Sequence, residues 1–390
     1  MIQNDQPSPK EPRPPLVVRR ATAEDLPALL DFVGQTYGLG APFKDAARHA
    51  WQFEDNPFRP ASETAPTIWL AFDGRRVVGE IAVQDGMLWH EAGPVPAGWI
   101  VDVMVHPDYR GQGLSHRIHE AIMVERPVLV TLTMAPATRR VAERAGCLTL
   151  GPTRQFILPY RLSTRTVMRF LAYKAGAGSA SRRAAIRLFN ASRIAPMILA
   201  GASRLFGAWR RWRAPKLLPA RLSIAEVDHF PNSLDALWAA NRGLFPAVFE
   251  RSVRFLNWRF TQAPGLDYRC FLLRRDGSLV GYVVTRVGVK DELPLGVIVD
   301  VFADPRDHEA LDALVAHACR VLRPSVEYIE AAASTPAWRE ALSRAGFIAT
   351  KTMYPTVVCT DAELRDRLAQ NPDGWHFTKA DHDWDQVHPV

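Results

Sequence analysis

Two carboxylates stand in runs that are otherwise apolar. Asp102 interrupts residues 100–105, and Glu80 interrupts residues 77–83. A carboxylate on a buried strand is costly unless it is paired. Both are therefore candidate proton acceptors, and Asp102 is a candidate for a raised pKa. His106-Pro107-Asp108 ends the first of these strands, because proline donates no ladder hydrogen bond. Arg110-Gly111-Gln112-Gly113 follows, and then Leu114, Ile118, Ala121 and Ile122 fall on one helical stripe. The order is strand, glycine-bearing loop, helix start. A helix start presents unpaired amides and a partial positive charge. Glycines let the backbone close around an anion, and Arg110 adds a fixed cation. The combination suits a diphosphate held beside a base. On the glycines alone, a turn without a ligand is the alternative. His106 and Tyr109 are read as shaping that turn.

The surrounding elements must place these residues. Residues 16–20 read as a strand, and Thr22 with Asp25 as a helix cap ahead of Leu26, Leu29, Leu30 and Val33. A second helix spans about 44–53. Residues 68–72 and 77–83 read as strands joined by the Asp73-Gly74 turn, with a further strand at 87–89. After the loop and its helix come a strand at 128–133 and a helix at 137–145 ended by Gly146.

The same order returns roughly 200 positions later. Trp51-Gln-Phe53 recurs as Trp258-Arg-Phe260, and Val78-Gly79 as Val280-Gly281. Ile100-Val-Asp-Val103 recurs as Ile298-Val-Asp-Val301, Pro136-Ala137 as Pro336-Ala337, and Arg144-Ala-Gly146 as Arg344-Ala-Gly346. Five matches in order indicate two copies of one unit. The copies differ at the loop. The second has Ala303-Asp-Pro-Arg-Asp-His-Glu-Ala310, without glycines and with Asp307 and Glu309 where an anion would sit. Asp300 repeats Asp102 in this copy, so a structural role for both is the alternative to catalysis, whereas Glu80 corresponds to Tyr282.

The run from Val103 to Leu114 resembles the acyl-CoA-binding segment of the GNAT N-acyltransferase superfamily, whose signature is Arg/Gln-x-x-Gly-x-Gly/Ala. Arg110 and Gly113 match it, and Ser115 stands where Gly or Ala is usual. The resemblance implies an α/β (α+β) chain of two tandem GNAT-like domains, each a mixed central sheet flanked by helices. It implies that the strand backbone of Val103, Met104 and Val105 pairs with the pantetheine arm of acyl-CoA. It also implies that the amides of Arg110, Gly111, Gln112, Gly113, Leu114 and Ser115 hold the pyrophosphate. Asp102 and Glu80 are then the candidate catalytic bases. One departure stands out: the tyrosine that often serves as general acid is replaced by Ala142 in the first copy and Leu342 in the second.

Length and charge complete the reading. A chain of 390 residues with 47% hydrophobic content suits two packed units. The expected divisions are a disordered tail at 1–15, an acyl-CoA-binding domain at 16–160, a basic helical linker at 161–221 and a degenerate domain at 222–390. The net charge is +7, yet residues 161–221 hold 14 Lys or Arg and no Asp or Glu, so the remainder is net acidic. Within the linker the uncharged run from 194 to 203 is ten residues, too short to span a bilayer. The linker, chiefly 182–213, is read as an interfacial helix on an anionic membrane. An interdomain hairpin and nonspecific nucleic-acid contact are the alternatives.

The four cysteines are widely spaced, which argues against a disulfide framework and fits a reducing cytoplasm, with peripheral association on the inner membrane face. Trp51, Phe53, Trp258 and Phe260 are read as core aromatics, with recognition of an anionic substrate as an alternative for Arg259. Asp381-His382-Asp383-Trp384-Asp385 lacks a second ligand group at fixed spacing, so it reads as a solvated acidic tail and no metal is expected. Residues 375–385 also resemble the ends of tandem GNAT proteins of bacterial envelope and surface-glycan loci. The expected activity is transfer of an acyl group, acetyl by default, from acyl-CoA to a primary amine. Fatty acyl-CoA-dependent acylation of a sphingoid amine, as in bacterial ceramide synthases, is the alternative within that class. A noncatalytic acyl-CoA sensor or scaffold is the alternative outside it.

Overall fold

The computed structural model describes residues 16–37, 45–132, 139–140, 142–143, 146–176, 180–192, 194–213, 218–290 and 293–386. The expected tail at 1–15 and the Pro136-Ala137 repeat lie outside the described residues.

The first half begins with β1 (Val17–Arg20), α1 (Leu26–Tyr37), α2 (Ala46–Phe53), β2 (Ile68–Asp73) and β3 (Arg76–His90). It continues with β4 (Gly93–Val105), α3 (Leu114–Glu125), β5 (Val128–Thr131), β6 (Leu148–Thr149) and β7 (Thr153–Pro159). The expected strand at 87–89 is the end of β3 rather than a separate element. Alternation sorts the central strands. Val78, Ile81 and Val83 pack with Leu114 and Ile118 of α3, while Val77 and Ala82 join the opposite layer with Leu29 and Phe32 of α1. Arg126, at the far end of α3, pairs with buried Asp85 at 2.8 Å and with Glu63 at 2.6 Å, tying the helix to β3.

Helices α4 (Thr164–Gly176), α5 (Ala180–Ala191) and α6 (Ile194–Arg213) form the basic segment. The second half then repeats the plan. It contains β8 (Leu222–Val227), α7 (Leu234–Asn241), β9 (Ala247–Phe249), β10 (Tyr268–Arg275), β11 (Ser278–Lys290) and β12 (Leu293–Ala303). After these come α8 (His308–Leu322), β13 (Tyr328–Ala333), α9 (Pro336–Arg344), β14 (Ile348–Met353), β15 (Thr356–Cys359), α10 (Ala362–Leu368) and β16 (Trp375–His376).

Two mixed sheets result, flanked by helices as the fold class expected. One runs β1-β2-β3-β4-β5-β15-β6, with β9 on the end of β3 and β16 on β9. The other runs β14-β7-β13-β12-β11-β10-β8. Each holds one parallel pair of corresponding strands, β4 with β5 and β12 with β13. The halves exchange strands. β7 crosses into the second sheet between β13 and β14, and β15 crosses into the first between β5 and β6. A division at residue 160 therefore places β7 with a sheet that it does not join.

The repeated tryptophans meet where the halves pack. Trp51 and Trp258 stack with ring centroids 4.8 Å apart. Each indole N–H donates to the other's carbonyl, at 2.9 and 3.0 Å. This reciprocity is the mark of a local two-fold relation between the copies. Trp258 lies in a π-helical turn, Asn257–Thr261, that buries Trp258, Arg259 and Phe260 together.

The C-terminal segment is a correction to the sequence reading. Residues 375–386 are wedged between the halves, not solvated: Asp381, Asp383 and Asp385 are all buried. Asp381 pairs with Arg251 at 2.7 Å, and Asp385 pairs with Arg259 and accepts from Tyr268 at 2.5 Å. Arg259 is itself fully buried by this pairing, so it does not face an anionic substrate. Burial of these carboxylates is tolerated because each charge meets an opposite one. Because each sheet needs a strand from the other half, residues 1–160 expressed alone should fail to fold. A monomeric fragment with native-like circular dichroism and sharp thermal unfolding would contradict the exchange.

Candidate functional site

The loop at the end of β4 is an open cradle. Pro107–Tyr109 forms a single 3-10 turn, closed by the Tyr109 hydroxyl donating to Asp73 and by Arg76 meeting His106 at 2.8 Å. Arg110 Nε donates to the Val105 carbonyl at 3.1 Å, and the Gln112 amide donates to the Asp108 carbonyl at 3.0 Å. Gly111 and Gly113 have φ of 76° and 72°, in the left-handed region that glycine occupies without penalty. A side chain at either position would meet no atom within 4 Å, so conformation rather than crowding requires glycine. Gly113 is the N-cap of α3, where a glycine cannot cap with its own side chain. Arg110, Gly111, Gln112, Gly113 and Ser115 are exposed, while Leu114 is buried beneath the sheet and anchors the helix. The cradle fits a diphosphate: exposed amides, a positive helix end and one arginine.

Immediately upstream, β4 changes partners. Its parallel pairing with β5 among the described residues is Gly98 with Leu129 and Trp99 with Val130. From Ile100 onward the two strands part. On the other edge the register with β3 slips between Glu80–Met104 and Ala82–Val101, so Asp102 and Val103 oppose Ile81 alone. This is a β-bulge. Asp102 occupies it at φ 51°, an unusual conformation for a nonglycine residue. Val103 is 56% exposed, so the parted edge is open to a ligand. The structure therefore places the backbone of Asp102, Val103, Met104 and Val105 along one edge of a gap that opens onto the cradle. Glu80 is buried on β3 in register with Met104, one strand away from that gap.

The second half carries the same scaffold in a different chemical state. Asp307 caps α8 by accepting from the Ala310 amide at 3.0 Å. It pairs with Arg275 at 2.6 Å, and Glu309 pairs with Arg221 at 2.8 Å. The Arg275 guanidinium holds the Asp307 carboxyl below its ordinary range. The helix end is thus satisfied by the chain's own carboxylate. Asp300 is likewise enclosed: Arg251 at 2.9 Å, the Tyr282 hydroxyl at 2.7 Å and the Thr378 hydroxyl at 2.7 Å surround it. Asp300 is therefore a structural ion-pair partner, while Asp102 is half-buried and stands at the parted edge.

Sequence reasoning missed His382. Its Nε2 lies 2.8 Å from the Ile100 carbonyl, and its ring meets Trp99 edge to face with centroids 6.0 Å apart. The signal was present: Trp375, Phe377 and Trp384 give this acidic stretch more aromatic content than a solvated tail carries.

Comparison with known proteins agrees with this geometry. Residues 17–147 match the family model described as an acetyltransferase (GNAT) domain. No curated protein matches the chain by sequence. Among solved structures, a GCN5-related N-acetyltransferase from Anabaena variabilis superposes with TM-score 0.54 at 13% identity, over 88% of this chain and 72% of that one. Saccharomyces cerevisiae N-myristoyltransferase with bound myristoyl-CoA gives TM-score 0.56 at 11% identity, over 91% and 81%. A tandem GNAT protein from the clavulanic acid biosynthesis pathway gives 0.51 at 14%, over 89% and 99%.

The first half carries a GNAT acetyltransferase domain, and the two-sheet architecture is that of tandem GNAT-like domains.

Two predictions follow from the contrast between the halves. Gly113→Glu should weaken CoA binding by more than about tenfold in calorimetric titration, through backbone strain and charge repulsion. Glu309→Gln should leave that affinity unchanged, and the reverse pattern would contradict the assignment. Asp300→Ala should destabilise the full chain by roughly 3–5 kcal/mol in urea unfolding, because it leaves Arg251 buried with one carboxylate fewer. A loss below about 1 kcal/mol would contradict the structural role.

Proposed function

We propose that the chain transfers an acyl group from acyl-CoA to a primary amine, with the donor bound by the first half alone. The observation that carries this reading is the cradle of Arg110 to Ser115 opening onto the parted edge of β4. An extended pantetheine arm can add its amides to that edge as a further strand would, along Val105, Met104 and Val103. The amine must be neutral to attack, so a carboxylate takes its proton. Asp102 lies at the gap and Glu80 one strand behind it, reaching the amine directly or through water. A backbone N–H at the bulge is suited to stabilise the tetrahedral oxyanion. Acetyl-CoA is the default donor. The second half helps to form the acceptor site and does not bind CoA.

A specific observation favours a membrane-held acyl donor or acceptor. Helix α6 packs inward through small residues: Ala200 and Ser203 are buried, and Gly207 lies against the Tyr160 carbonyl, where a Cβ would come within 2.3 Å. Phe206 also packs inward, but several other large apolar residues point outward. Ile194, Met197, Ile198 and Leu205 are 68%, 61%, 65% and 75% exposed, on one stripe. The segment around them carries only basic charge, which complements an anionic lipid surface. Among the described residues no helix is long and apolar enough to cross a membrane. Long-chain acyl-CoA and a lipid amine such as a sphingoid base are the substrates that such a surface would serve.

Thiol release from acetyl-CoA and palmitoyl-CoA, measured across amino acids, amino sugars and sphingoid bases, tests the activity. Amine-dependent release is expected; tight CoA binding with no release on any amine would instead support a sensor. Flotation on phosphatidylglycerol vesicles tests the surface. The doubly substituted M197E/I198E chain should bind at least about tenfold more weakly than the parent, given the apolar area removed. Equal flotation would contradict the membrane reading.

A further inference from the structure

His382 belongs to the C-terminal segment of the second half, yet it reaches β4 of the first. Ile100, whose carbonyl lies 2.8 Å from its Nε2, is the first residue of β4 past the last pair with β5. The imidazole therefore stands at the apex where the two strands part. Its other nitrogen, Nδ1, faces the Asp383 carboxylate in an ion pair. A carbonyl oxygen and an ionised carboxylate only accept hydrogen bonds. These two neighbours favour the ring protonated on both nitrogens, its cationic form. Burial opposes that charge, but Asp383, the Ile100 carbonyl and Asp102 outweigh it and raise the ring above the ordinary histidine value. His382 also sits at φ 68°. Left-handed nonglycine residues are strained and cluster where geometry serves function.

We infer that His382 is the catalytic acid that protonates the departing CoA thiolate, supplied to the first half's site by the second half. The inference rests on the donor-site reading given above. An arm entering from the mouth of α3 and following the open edge from Val105 toward Ile100 carries the sulfur toward the apex. The amine nitrogen attacks the thioester carbon, and the C–N bond forms. The C–S bond breaks, and its electron pair stays on sulfur. The proton on Nε2 leaves the Ile100 carbonyl and passes to sulfur, giving free CoA thiol. The proton shed by the amine goes to the carboxylate base and on to solvent, and the neutral imidazole regains one from solvent. This supplies the role that Ala142 cannot fill, and it gives the second half a chemical contribution without a donor of its own.

The test needs no acceptor. Free CoA is bound to the full chain, and its thiolate is titrated by ultraviolet absorbance. A cation at the apex should make the bound thiol at least about tenfold more acidic than a free thiol, whose pKa is about 8.5. In His382→Gln that gain should vanish while CoA affinity stays within about threefold, which also shows that the variant is folded. Asp383→Asn, which keeps the ring and removes its counter-ion, should reduce the gain. Tight CoA binding with equal thiol acidity in the parent and His382→Gln would overturn the role of His382 alone. A parent chain that binds no CoA would overturn the donor-site reading and this inference with it.

Discussion

Among the described residues the fourth strand has no parallel neighbour past Trp99, and the backbone groups on that edge must find partners elsewhere. The surrounding site answers this constraint. On its far side β5 pairs with β15, a strand from the other half. The Ile100 carbonyl is met by His382, and the Val105 carbonyl by Arg110. The bulge at Asp102 turns the strand between these two points. What remains is a short open edge ending at an electropositive helix mouth, a shape suited to an extended chain with an anionic end.

Duplication supplied two such scaffolds, and the side chains then set them apart. In the first, glycines leave the helix mouth exposed and Asp102 half-buried. In the second, Asp307 fills the mouth and Arg275 neutralises it, while Arg251, Tyr282 and Thr378 close around Asp300. A carboxylate repeated at corresponding positions thus has two environments. The second half became the partner that completes the first. It lends β9, β15 and β16, stacks Trp258 on Trp51, and threads residues 375–386 to the apex of the gap.

The parts legible in the sequence were local or periodic. The Arg110 to Ser115 loop shows itself because its function depends on residue types at fixed spacing along one stretch. The repeat shows itself because both copies keep the apolar rhythm of the same strands. The exchange of β7 and β15 did not, since alternation marks a strand but says nothing about which sheet receives it. The C-terminal segment was misread because charge suggests exposure. Asp381 and Asp385 are buried against Arg251 and Arg259, partners more than a hundred positions away. The same distance hid His382: nothing near it in sequence announces Ile100.

The most direct measurement is a crystal structure of the full chain soaked with CoA. The account predicts one nucleotide per chain, its diphosphate against the amides of residues 111–115, its arm along Val105 to Val103, and its sulfur near His382. Nucleotide density at the start of α8 in the second half, or a diphosphate seated away from the first helix mouth, would contradict it.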